Sequence, residues 1–157
     1  MPDRTLVGLT NYNRWANARV LAHAAQLSDA DRRSPVPGTA GTIELTTVHF
    51  VETELYFASL ITGGDYGELA PQPSWDALMA IVEAADDALV GLADSLGDRA
   101  LDRQIDRDGQ PYAARDLLLQ ALTHSHQHRT QIAAAVDIRG VPVKATDYID
   151  FVDATGG

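Results

Sequence analysis

The sequence predicts an all-α fold, a four-helix bundle in one domain, on three observations. Apolar residues recur at spacings of three and four through four long segments. Those segments are bounded by capping or helix-breaking residues. The chain has 157 residues, with no internal repeat, low-complexity tract or composition shift to mark a boundary, so residues 1–157 read as one domain.

The first helix spans Asp3 to Gln26, carrying Leu6, Leu9, Tyr12, Trp15, Ala16, Val20 and Ala24 at helical intervals. Ser28-Asp29 and Ser34-Pro35-Val36-Pro37-Gly38 form a connection. A second helix begins near Thr42, with Glu44 in its first turn. It carries Leu45, Val48, His49, Glu52, Tyr56 and Leu60, and Gly63-Gly64 stops it. After a loop with Pro71 and Pro73, Ser74 caps a third helix that runs through Leu78, Ile81, Val82, Ala85, Leu89 and Leu92 to about Ser95. Asp108-Gly109 between short extended runs signals either a small β-hairpin or an ordered loop. The fourth helix covers about Ala114 to Arg139 and is ended by Gly140 and Pro142. Thr146 is the expected cap of a short C-terminal helix through Val152, and Gly156-Gly157 reads as a frayed end.

Composition removes several function classes. The formal net charge is −10 and the one lysine is Lys144, with no basic run longer than Arg32-Arg33. Phosphate binding uses basic faces, so neither nucleic acid nor an anionic membrane is an expected partner. No stretch approaches the ~20 uninterrupted apolar residues of a membrane span, and the start lacks a signal peptide's charged and apolar regions; a cytoplasmic protein is expected. The chain has no cysteine, which excludes a Cys-ligated zinc site and any chemistry on its own thiols.

The chemistry-bearing feature is on the fourth helix. His124 and His128 stand four apart, so their imidazoles stack on one face. That face continues through Leu117, Ala121, Gln131, Ile132 and Ala135, the core-facing stripe. His126 lies about 200° around the helix from His124 and is expected at the surface. On the second helix His49 shares a stripe with Leu45, Glu52 and Tyr56, and is therefore expected to face inward too. Three histidines with an open position form a known plan for a catalytic metal, zinc or nickel first, with iron, manganese and cobalt also suited to imidazole. Glu52, one turn from His49, is the candidate catalytic residue, orienting a ligand imidazole or serving as base. The alternative for Glu52 is an ion pair with an arginine such as Arg14 or Arg19; for the histidines it is a core satisfied by hydrogen bonds. Trp15, Tyr12 and Tyr56 read as packing. No His-Glu-x-x-His, Glu-x-x-His, phosphate-loop or Gly-x-Ser-x-Gly pattern occurs.

Taken together these segments resemble the DinB/YfiT-like family of metalloenzymes over nearly the whole chain. Tyr12-Asn13-Arg14-Trp15-Ala16-Asn17 is similar to that family's opening segment, Asp108-Gly109-Gln110-Pro111-Tyr112 to its hairpin, and His124 followed by His128-Arg129 and Gln131 to its fourth-helix run. Thr123, Thr130 and Gln120 depart from the residues frequent there. The resemblance implies an often dimeric bundle in which His49, His124 and His128 hold a divalent metal; the excess of Arg over Lys separately points to a GC-rich bacterial genome. The resemblance further implies a small-molecule substrate and, as in some relatives, transfer or isomerisation chemistry using a low-molecular-weight thiol. A metal-dependent hydrolase and a non-catalytic metal- or ligand-binding module are the competing functions.

Overall fold

The structure is a computed structural model that describes residues 1–66, 69–70, 72–144 and 146–156. Pro71 of the loop and the terminal Gly157 lie outside the described residues. The elements are α1 (Arg4–Ala24), α2 (Asp29–Arg32), α3 (Ile43–Thr62), α4 (Trp75–Ser95), α5 (Asp98–Leu101), β1 (Gln104–Arg107), β2 (Gln110–Ala113), α6 (Ala114–Ile138) and α7 (Tyr148–Thr155).

Local chemistry sets the ends. Asp3, Thr42 and Ser74 cap α1, α3 and α4, each side chain accepting from backbone amides of the first turn. Gly63 ends α3 at φ 71°, a left-handed conformation that costs glycine nothing. The Asp-Gly signal resolves as a hairpin: β1 and β2 pair antiparallel from Gln104 opposite Ala113 to Arg107 opposite Gln110. Both Asp108 and Gly109 have positive φ, 56° and 80°, as a two-residue turn between right-twisted strands requires.

Two expectations about boundaries are corrected. The C-terminal helix is capped by Asp147, not Thr146, and runs to Thr155, past Val152. Asp147 and Asp150 form a reciprocal capping box, which outcompetes a threonine one position earlier. The connection after α1 also contains a helical turn, α2, capped by Ser28.

Helix α1 packs on α4 and α6, and α3 also packs on α4 and α6, giving the cyclic order α1, α4, α3, α6. The interior is layered. At one end Leu6, Phe57, Ile61, Leu89 and Leu118 form an apolar cluster. At the other, Val20, Ile43, Phe50, Leu78, Ile132 and Val136 form a second. Between them lies a belt of buried polar side chains: Asn13 and Asn17 of α1, Glu54 of α3, Asp86 of α4, and Ser125 and Arg129 of α6. Helix α7 lies on α1, where Tyr12 and Trp15 meet Phe151 edge-on and the Tyr12 hydroxyl donates to the Thr146 carbonyl (2.8 Å). Those two aromatics thus serve packing.

Candidate metal centre

The three histidines named from sequence are brought together at the level of the polar belt, on the edge where α3 meets α6. One ligand-capable atom from each of His49, His124 and His128 lies within 4.8 Å of the others. The ring centroids are 4.4 to 4.9 Å apart. The i, i+4 spacing on α6 places His124 Nε2 3.2 Å from His128 Nε2. Two nitrogens bound to one tetrahedral ion at about 2.0–2.1 Å stand about 3.3 Å apart, so this separation suits a shared ion.

The tautomer is set locally. Gln131 Oε1 lies 2.7 Å from His128 Nδ1, a contact that requires Nδ1–H as donor and leaves the Nε2 lone pair free toward His124 and His49. His124 Nδ1 is buried without a hydrogen-bond partner. The His124 pKa is pushed down to about 4, by burial first and then by the neighbouring His128 and His49. His49 is lowered as well, by burial and then by His128, with Glu52 pulling the other way. Neutral imidazoles are the ligand form, so protons compete weakly for these two residues near neutral pH.

The expectation that all three histidines face inward is corrected. His128 is buried and His124 half-buried, but His49 is exposed. The buried face of α3 consists of Ile43, Thr46, Thr47, Phe50, Val51, Glu54, Phe57, Ala58 and Ile61. The stripe of Leu45, His49, Glu52 and Tyr56 runs along its flank, with Leu45 45% exposed. The cluster consequently opens to solvent on the His49 side. A trough of about 230 Å³ begins there, lined by His49, Glu52, Thr53, Tyr56 and Tyr66. Arg107 of the hairpin closes in beside it, its Nε donating to the Tyr56 hydroxyl at 3.4 Å. Tyr56 is therefore a wall of the trough as well as a packing residue.

Glu52 is half-buried in that wall and has no ion pair with Arg14 or Arg19. Arg14 pairs with Asp87 at 2.9 Å, and Arg19 lies over the Trp15 ring. His126 is exposed, within 3.2 Å of Arg129 Nη2, and His23 is near Gln26; neither joins the cluster.

Sequence reasoning missed the belt behind the histidines. Arg129 Nη1 donates to the Asn13 and Asn17 side-chain oxygens (2.9 and 2.8 Å). Asn13 Nδ2 donates in turn to Glu54 Oε1 (2.8 Å) and Asp86 Oδ1 (3.0 Å), and Asn17 Nδ2 to Asp86 Oδ1 (2.9 Å). Ser125, adjacent to His124, also donates to Glu54 Oε1. Burial pushes the Glu54 pKa up to about 7. It pushes Asp86 up to about 8, with the charge of Glu54 adding to burial. The available signal was Asn13 and Asn17 four apart within a core-facing stripe.

The family model described as the DinB family matches residues 1–156. The chain belongs to the DinB family. Among solved structures it is similar to a DinB-like protein, YjoA, from Bacillus subtilis. The TM-score is 0.66 at 18% identity, covering 88% of this chain and 97% of that one. That likeness is one of fold, and it agrees with the helical bundle. No functionally curated protein matches the chain. As a DinB family member the chain carries a three-histidine cluster compatible with a metal ion. Among the described residues no helix is long and apolar enough to cross a membrane.

Proposed function

We propose that this DinB protein is a metal-dependent transferase acting on a small molecule, with His49, His124 and His128 as metal ligands and a low-molecular-weight thiol as co-substrate. The observation that carries this reading is the opening of the cluster: the imidazole nitrogens converge from the bundle side, and the His49 side remains accessible to an exogenous ligand. A divalent ion, zinc or nickel first, then iron, manganese or cobalt, would supply the Lewis acidity that makes a thiol acidic at neutral pH. The chain has no cysteine, so that thiol comes from outside.

The protein's own groups have separate tasks. Gln131 holds His128 in the tautomer that frees Nε2. Glu52, in the trough wall one turn from His49, accepts the proton released at its carboxylate. Tyr56 and Tyr66, with ring centroids 6.0 Å apart, give the trough an aromatic wall for the body of the substrate.

The position of Glu52 also favours a second reading, hydrolysis, in which the same carboxylate takes a proton from water. Elemental analysis of untagged protein beside the His49→Ala, His124→Ala, His128→Ala triple variant tests the site. About one ion per chain, lost in the variant, supports it; no ion after reconstitution with zinc, nickel and manganese overturns both readings. Turnover that needs glutathione, bacillithiol or mycothiol supports transfer. Turnover without thiol, lost in Glu52→Ala while the ion stays bound, supports hydrolysis. Metal binding without turnover supports a binding module.

A further inference from the structure

The trough beside the histidine cluster has a cation at its far end. His49, Glu52, Thr53 and Tyr56 stand three and four apart on α3 and form one wall, and Tyr66 completes the lining. From His49 to Tyr56 the helix advances about 10 Å along its axis. At the Tyr56 end the hairpin brings in Arg107, whose Nε donates to the Tyr56 hydroxyl at 3.4 Å. Its guanidinium carbon also lies over the Tyr56 and Phe57 rings, 5.7 and 5.4 Å from their centroids. The guanidinium is rigid and planar, so anchoring Nε keeps both terminal nitrogens beside the same wall residue.

Those terminal nitrogens are uncommitted. They make no hydrogen bond among the described residues, and the side chain is 39% exposed. Asp108, 87% exposed, lies 3.9 Å from Nε, too far for a hydrogen bond. The neighbouring arginines are engaged: Arg103 donates to the Ile61 carbonyl and Arg115 to Asp102. Glu52 is the anionic residue of the lining; its charge acts on His49, and no ion pair joins it to Arg107 among the described residues. A planar fork with two free donors matches a carboxylate through two parallel hydrogen bonds. A doubly charged phosphate suits the trough less well, because one cation would have to hold it against Glu52 and a net charge of −10.

We propose that Arg107 is a specificity residue of this site, and that the thiol it selects carries a carboxylate about 10 Å from its sulfur. This rests on the metal-dependent transfer reading. The sulfur reaches the His49 end, the body of the molecule lies along Thr53 and Tyr56, and the carboxylate pairs with the Arg107 terminal nitrogens.

The test is calorimetric titration of zinc-loaded protein at about 0.15 M salt. The probes are 8-mercaptooctanoate and 8-mercaptooctan-1-ol, whose extended lengths match the span, and 3-mercaptopropionate, which is too short for it. Wild type, Arg107→Gln and Arg107→Lys are compared after their zinc contents have been measured. Wild type is expected to bind the long acid about tenfold or more tightly than the long alcohol, as a charge-assisted pair warrants, and against the repulsion of the net charge. Arg107→Gln is expected to bring acid and alcohol to similar affinity, with zinc content, alcohol binding and 3-mercaptopropionate binding unchanged. Arg107→Lys, which keeps the charge and loses the fork, is expected to fall between. Equal binding of acid and alcohol by zinc-loaded wild type, or no saturable acid binding at millimolar concentration, overturns the proposal and leaves the metal reading standing. So does an Arg107→Gln protein that keeps the preference for the acid, that weakens acid and alcohol alike, or that loses 3-mercaptopropionate as strongly as the long acid. A wild type that takes up no zinc overturns the metal reading, and the proposal with it.

Discussion

Ser125 donates to the Glu54 carboxylate across the interior, tying α6 to α3 one residue from His124. Both partners are essentially inaccessible, Ser125 at 0% and Glu54 at 1% exposure. Ser125→Ala removes one of two donors to Glu54 Oε1 and is expected to cost about 1–3 kcal/mol of stability, the range for leaving a buried acceptor short of a partner. Chemical denaturation with unchanged denaturant dependence checks this. A loss below about half a kcal/mol would show that Asn13 alone suffices.

The belt gives stability a pH dependence of definite sign. Glu54 and Asp86 titrate in the folded chain at about 7 and 8, above their ordinary 4.5 and 3.8. The folded state therefore holds protons that the unfolded state has released, and stability falls as pH rises through that interval. Their contribution is fully present below about pH 4 and lost by about pH 9. Melting temperatures at pH 5, 7 and 9 should decline in the wild type and decline less in Asp86→Asn. Equal slopes would mean that the decline comes from the general excess of negative charge.

Under the proposed function, Gln131 would act on a bound metal through His128, whose Nδ1 lies 2.7 Å from its Oε1. Gln131→Ala is expected to weaken zinc binding about 10–100-fold, the usual cost of removing a partner that orients a ligand histidine. The metal-free melting temperature should barely move, because Gln131 is only half-buried. Competition against a chromophoric chelator measures the affinity; an unchanged value would leave Gln131 without a role in ligation.

Metal should also register as stability. Saturating zinc at about 100 times its Kd is expected to add about 2.7 kcal/mol, and a chelator to remove it. His49→Ala should abolish the gain and leave the metal-free protein unharmed, since His49 is exposed. His128→Ala should lower the metal-free stability too, because that ring is 8% exposed within the packed face of α6. Thermal melts with and without zinc separate the two.

The helices were legible because caps and breakers stand at their ends: Ser74, Thr42, Gly63 and the Asp108-Gly109 turn act through local backbone chemistry that the sequence displays. The i, i+4 pair on α6 was legible for the same reason. The orientation of His49 was not. Its flank stripe and the true buried stripe of α3 both satisfy helical spacing, and the buried one includes Thr46, Thr47 and Glu54, which a search for apolar faces discards. The belt escaped notice on the same grounds. Glu54, Asp86 and Arg129 meet their partners, which are distant in the chain, only when four helices are packed.

The order of helices around the bundle bears on how the molecule is made. His49 lies on α3, while His124 and His128 lie on α6, the last long helix to be synthesised. The two halves of the histidine cluster are thus both present only once most of the chain has been synthesised, and the links from α1 to α3 and from α4 to α6 must each cross a diagonal. In small zinc-nucleated domains the ligands lie close together in the chain; here a three-histidine site needs α3 and α6 to have met. Ligation of one ion by His49, His124 and His128 together would therefore report that α3 and α6 have docked correctly.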